Sequence, residues 1–201
     1  MISHALRIVA NELEQHLTGL GAGTGQVELA NVGEVGSTGG PKRGTILLSV
    51  VNVTPERTLR NVSGNVRDDS TLRVSHQNPP VFLNLTVLVT ATHTDYGDAL
   101  LALSRAIAFF QYHDVFTPET VAPASLTAGA PINPADRLAE FKLIFSLASP
   151  SIEEVNHLWG TLGAKQFPFA LYSVRMLEMR FAAASGESGL VTEVISTLVG
   201  R

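Results

Sequence analysis

Apolar residues recur along the first segment at Ile2, Leu6, Val9, Leu13 and Leu17. Steps of three and four put them on one stripe of a helix, which the spacing predicts to close at Gly19. The glycines at 19, 21, 23 and 25 then break the pattern, and a short strand is predicted from Val27, ahead of a flexible stretch from Gly36 to Gly44. Thr45 to Val53 is apolar at successive positions, as in a strand covered on both faces, by its own domain or by another subunit. From Val81 the chain alternates. Val81, Leu83, Leu85, Val87, Val89 and Ala91 share one strand face, and Asn84, Thr86, Thr90 and Thr92 share the other.

Asp95 is placed to cap a second helix with Leu100, Leu103, Ile107 and Phe110 on its core side, Ala99, Ala102 and Ala106 permitting close approach, and His113 near its C-terminal end. Prolines at 118, 123, 131 and 134 predict a long surface loop over Phe116 to Arg137. A strand follows with Phe141, Leu143, Phe145 and Leu147 inward. A further helix starts at Ser149 or Ser151 with Pro150 in its first turn, buries Ile152, Val155, Trp159 and Leu162, and ends at Gly163. In the strand from Phe169 the inward set changes phase between Val174 and Leu177, the mark of a bulge. Beyond the tether-like "ASGESG", Leu190, Val194, Ile195 and Leu198 suggest a short apolar tail helix.

This order predicts an α+β fold, with a mixed or mainly antiparallel sheet and flanking helices, over residues 1–182, and a linker with the tail helix over 183–201. A chain of 201 residues, 45% of them hydrophobic, is large enough to bury one such core. No apolar run approaches the length of a membrane span, and the N-terminal segment has no signal-peptide core, so neither membrane insertion nor export by a cleaved signal is expected. The chain has no cysteine, which removes disulfides and thiolate metal sites and favours an intracellular start. With a formal charge of −4 and scattered basic residues, a dedicated nucleic-acid binder is not expected.

Chemical motifs are weak. The glycine run leaves a helix toward a strand, the reverse of a phosphate-binding loop. His4, His16, His76, His93, His113 and His157 show no metal-ligand spacing, and no serine sits in a nucleophile elbow, so no catalytic, cofactor or metal residue is assigned. The pairs Asp68/Asp69 and Glu153/Glu154 splay around their backbones and read as solvated charge. The 27 residues from Thr54 to Pro80, carrying Arg57, Arg60, Arg67 and Arg73, are long for a structureless connection and suggest a projecting arm or hairpin that contacts a neighbour.

Several segments together resemble a known family. They are "ISHALRIVANELEQHL" at Ile2, "LLSVVNVTPERTLRN" at Leu47, "NPPVFLNLTVLVTATHTDYGDAL" at Asn78, "AIAFFQYHDVFTPE" at Ala106 and "FKLIFSLASPSIEEVNHLWGTLGAKQFPFALYSVRMLEM" at Phe141. In order and spacing they resemble the N-terminal domain of the tube-terminating cap protein of contractile injection systems, of the antifeeding-prophage and virulence-cassette type. The role of that family is similar to that of phage tail terminators. The resemblance implies a tail-terminator-like fold and a non-enzymatic structural protein. It implies a hexameric ring that ends the inner tube, engages the last sheath ring and stops polymerisation, built in the bacterial cytoplasm and then part of a phage tail-like particle. Its partners would be its own copies, the tube protein and the sheath protein. Interface candidates are Arg57, Arg60, Arg67 and Arg73 on the arm, His157 and Lys165 around the third predicted helix, the Phe116 to Arg137 loop, and Leu190, Val194 and Leu198 in the tail. The alternatives are the terminator of an ordinary phage tail, or a small-molecule-binding α+β domain with polar groups converging near His93, His113 or His157.

Overall fold

The computed structural model describes residues 1–21, 25–56, 65–68, 73–77, 81–138, 140–179 and 184–189. Helix α1 (Ile2–Gly19) buries Leu6, Val9, Leu13 and Leu17 of the predicted stripe, with Ile2 partly covered. It is capped at Leu20, and the left-handed residue that turns the chain is Gly21, at φ 72°, two positions beyond the expected stop. Strand β1 (Val27–Leu29) lies parallel to the start of β2 (Ile46–Pro55). Strands β2, β5 (Val81–Ala91), β8 (Phe169–Met179), β7 (Leu143–Ala148) and β6 (Val115–Phe116) then pair antiparallel, giving a six-stranded mixed sheet in the order β1-β2-β5-β8-β7-β6.

Alternation along the central strands divides the side chains between two cores. Leu85, Val87, Val89, Ala170, Tyr172, Val174, Leu143 and Phe145 face α1 and α2 (Tyr96–Tyr112). Asp95 caps α2 as expected, its carboxylate accepting from the Asp98 N–H at 3.0 Å. The face that α2 buries is Ala99, Ala102, Leu103, Ala106, Phe109 and Phe110. Leu100, expected inside, is 43% exposed because the three alanines form the contact line and turn it to the flank. Leu147 is 57% exposed for a different reason: β6 reaches only Leu143 and Ile144, so the end of β7 lies beyond its cover.

The segment 116–137, expected as a surface loop, folds back onto α1. It contains α3 (Pro123–Thr127) and a 3₁₀ turn at Pro134–Asp136. The polar side of α1 holds it down: Asn11 donates to the carbonyls of Ser125 and Ala128, Gln15 donates to Ser125 Oγ, and Glu12 accepts from the Ala122 N–H at 2.8 Å. Its length therefore has a reason inside the domain.

On the opposite sheet face lies helix α4 (Ile152–Leu162). Ser151 and Glu154 form a full capping box, so Pro150 precedes the cap instead of opening the helix, and Gly163 ends it at φ 64°. Trp159 is its one buried residue, set with Val32, Leu47 and Leu88 in a second, smaller core. Val155, Leu158 and Leu162 are partly covered, whereas Ile152, at the first position and ahead of the contact, is 68% exposed.

The long connection after β2 contains β3 (Asn65–Asp68) and β4 (Arg73–Gln77), an antiparallel pair, as a hairpin requires. The segment read as a tether is instead strand β9 (Ala184–Gly189), which pairs with β4. The order β3-β4-β9 repeats the order of the strands to which these three are joined in the chain, β2-β5-β8, so the arm is a separate three-stranded ribbon fed by the middle strands of the main sheet.

Candidate assembly interface

The face that α4 only half covers carries an open site. Beside α4 runs a groove of about 640 Å³. One wall is the helix flank Glu154, His157, Leu158 and Thr161, and the far end is closed by Ala148, Ser149 and Pro150. The floor is the sheet. Asn52 pairs with Thr86, Thr86 with Ser173, and Ser173 with Ser146, a row of hydrogen-bonding side chains crossing β2, β5, β8 and β7 in register. The next row toward α1 and α2 is Val53, Leu85, Val174 and Phe145, so pleating sends the polar row to the α4 side.

Polar groups at the rim are partly engaged. Glu154 accepts from the Ser151 N–H at 2.7 Å, and Thr161 donates to the His157 carbonyl at 2.8 Å. Hydrogen bonding at the helix N-terminus holds the Glu153 carboxyl below the usual range, through its backbone and then the Ser151 side chain. Asn84 donates to Glu56 at 2.9 Å, while its carbonyl oxygen is buried without a partner.

The free stretch of the β2 edge is guarded. β1 covers only Ile46–Leu48, and beyond it β2 is exposed at Val50 and from Asn52 onward, with Val51 half-buried. There the Asn52 side chain accepts the Val53 N–H at 2.9 Å, and Pro55 has no N–H to offer. A bulge at Val50/Asn52 in β2, and another where β8 passes from Val174 to Leu177 opposite Leu85 and Leu83, increase the local twist. The second is the phase change legible in the sequence.

His157 is exposed on the groove wall, and Lys165 is exposed on the turn between α4 and β8. Arg67 and Arg73 lie in β3 and β4, Arg67 opposite Val74 and Arg73 opposite both Asp68 and Gly189. Arg57, Arg60, Leu190, Val194 and Leu198 fall outside the described residues. The polar row was not singled out in the sequence, although Thr86 stood on the polar face of its strand; its partners become neighbours only through register.

The three histidines weighed for a small-molecule site are far apart. His93 precedes α2 and His113 caps its other end, about 25 Å away for a helix of this length, and His157 is on the other sheet face. Both ring nitrogens of His93 are buried without a hydrogen-bond partner, and burial holds its pKa below the usual value against the opposing pull of Asp98. Burial likewise pushes the Tyr172 hydroxyl up to about 12. Among the described residues no group of three His, Asp or Glu is placed to hold a metal ion, and no helix is long and apolar enough to cross a membrane.

A family model described as the Pvc16 N-terminal domain matches residues 4–193. The chain belongs to that family. Among solved structures, this Pvc16 N-terminal fold is similar to the sheath/tube terminator of an extracellular contractile injection system, PVC, in its extended state. The TM-score is 0.65 at 15% identity, covering 100% of this chain and 64% of that one. It is also similar to the tube-terminating cap of the anti-feeding prophage, with a TM-score of 0.60 at 12% identity, covering 94% of this chain and 60% of that one. At these identities the likeness is one of fold, and the chain spans less than two thirds of either structure. No curated protein sequence matches it.

Proposed function

We propose that this chain is a structural cap of a contractile injection system, forming a hexameric ring that ends the inner tube, engages the last sheath ring and stops both from growing. The observation that carries the reading is the family match over residues 4–193, joined to a fold shared along its whole length with a sheath/tube terminator. Its partners are further copies of itself, the tube protein and the sheath protein. It is assembled in the bacterial cytoplasm and carried on the particle, and it performs no catalysis. Contacts are assigned to the arm with Arg57, Arg60, Arg67 and Arg73, to His157 and Lys165, and to the tail with Leu190, Val194 and Leu198.

A guarded stretch of β2 edge, a separate ribbon and a half-covered sheet face suit a subunit that meets others through side-chain surfaces, and heterologous contacts close into rings. The test is electron microscopy of particles assembled without the chain. Tubes and sheaths of unregulated length are expected, and normal lengths overturn the reading. Native mass of the purified chain is expected to show six copies, and deletion of residues 62–72 to abolish that association.

A further inference from the structure

Among the described residues, one face of the main sheet carries two long helices and the other the shorter α4, which leaves an open slot beside it. The slot wall, Glu154, His157, Leu158 and Thr161, follows the i, i+3, i+4, i+7 spacing of a ridge that a second helix packs against. Its floor mixes apolar Val51 and Leu171 with Thr86 and Ser173, a surface suited to an amphipathic segment more than to a wholly apolar one.

The sequence offers one such segment. Residues 190–201 contain Leu190, Val191, Val194, Ile195, Leu198 and Val199, with polar residues at 192, 193, 196 and 197. Residues 190, 194 and 198, with 191 and 195 beside them, make one apolar helical face. A helix this short is marginal in water and needs a surface to cover it. We propose that the slot beside α4 receives residues 190–201 of a second copy of this chain. The inference rests on the ring assembly proposed above and names the surface that joins one subunit to the next.

The second copy is favoured by where the segment begins. Gly189 pairs with Arg73, at the end of β4 opposite Gln77, the end that leads toward β5. Gly189, from which the segment continues, is therefore at the end of the arm remote from the slot of its own chain, which lies at the level of Thr86. Strand β4 and the part of β5 up to Thr86 account for about 33 Å of strand at about 3.3 Å per residue. A twelve-residue helix spans about 18 Å. The arm thus carries the segment outward, toward a neighbour, and repetition of the same contact from copy to copy is heterologous and closes into a ring.

The absence of native cysteine makes the test direct. Chains bearing Thr161→Cys and chains bearing Leu198→Cys, separately tagged, are mixed and oxidised. A disulfide joining the two tags is expected, with at least tenfold lower yield when Ser104→Cys, exposed on α2, replaces the Thr161 variant. No disulfide, equal yield with Ser104→Cys, or bridging only within single chains of a double variant overturns the proposal. Val194→Asp and Thr161→Arg are each expected to weaken self-association at least tenfold while leaving Tm unchanged, and unaltered association of both overturns it too. Particles of regulated length without the cross-link would remove this inference and leave the capping reading standing; unregulated assembly in the presence of the chain would remove the capping reading.

Discussion

The imidazole of His4, near the start of the chain, accepts the backbone N–H of Leu138 at Nδ1, 2.9 Å away. Because Nδ1 is the acceptor, Nε2 carries the proton and donates to the Leu126 carbonyl at 3.0 Å. One buried side chain thus ties both α3 and the residue that follows the 116–137 segment to α1. His4→Ala is expected to leave an amide and a carbonyl without partners and to cost about 3 kcal/mol, since each such buried group costs about 1–3 kcal/mol. Urea denaturation measures this, and a loss below about 1 kcal/mol would show that water replaces the ring.

Trp159, the only tryptophan, meets Phe169 edge-on at 5.4 Å and has an indole N–H that is buried without a partner. Trp159→Ala is expected to cost about 3–5 kcal/mol by opening a cavity in the small core. Trp159→Phe keeps an aromatic ring there and removes the unpaired donor, so its cost is expected near 1 kcal/mol. The intrinsic fluorescence of the native protein reports this one residue and is expected to be blue-shifted until the smaller core opens.

Gly33 approaches the end of α4 so closely that an added Cβ would lie 2.7 Å from the Leu162 carbonyl oxygen. Gly33→Ala is therefore expected to push α4 off its seat and destabilise by about 1–3 kcal/mol, the usual range for overpacking. Gly160, on the same helix with open space around it, is the contrasting site. Gly160→Ala is expected to stabilise by about 0.5–1 kcal/mol through helix propensity. Thermal melts of the two variants should move in opposite directions.

The α4 termini provide a matched pair of measurements. Ser151→Ala removes the capping box at a cost of about 1 kcal/mol. Gly163→Ala places a Cβ on a left-handed residue and is expected to cost about 1 kcal/mol as well. If helix α4 unfolds independently of the main core, both variants should raise hydrogen exchange in residues 152–162 without altering it in β5.

His93 links stability to pH. Its folded pKa lies below the unfolded value of 6.5, chiefly through burial, so the unfolded chain binds the proton first as the solution is acidified. The contribution is intact above pH 6.5 and is lost as pH falls through that value toward the folded pKa. Unfolding free energy measured from pH 7.5 to 5 should decline less steeply in His93→Asn than in the parent chain. Equal slopes would show that His93 does not report this burial.

Local patterning made much of this fold legible. The stripe of α1, the Asp95 cap, the Gly163 stop and the bulge after Val174 depend on spacing, side-chain hydrogen bonding within a few residues, or backbone conformation. Leu100, Leu147 and Ile152 were misplaced because their exposure depends on how far a neighbouring element extends, which hydrophobicity along one segment does not encode. The 116–137 segment looked like a free loop because its partners, His4, Asn11 and Gln15, are more than a hundred positions away.

The candidate interface divides the same way. By itself the sequence determined the helix and strand faces, the absence of thiol chemistry, and through the joint order of its segments a resemblance to the capping family. Only the tertiary structure decided that "ASGESG" is a strand, that the arm is a three-stranded ribbon in the strand order of β2, β5 and β8, and that Asn52, Thr86, Ser173 and Ser146 stand in one row on the sheet face that bears α4. The physical reason is that strand pairing is a contact between distant parts of the chain: a register shift of one residue would turn the whole row to the other face, and no local preference sets that register.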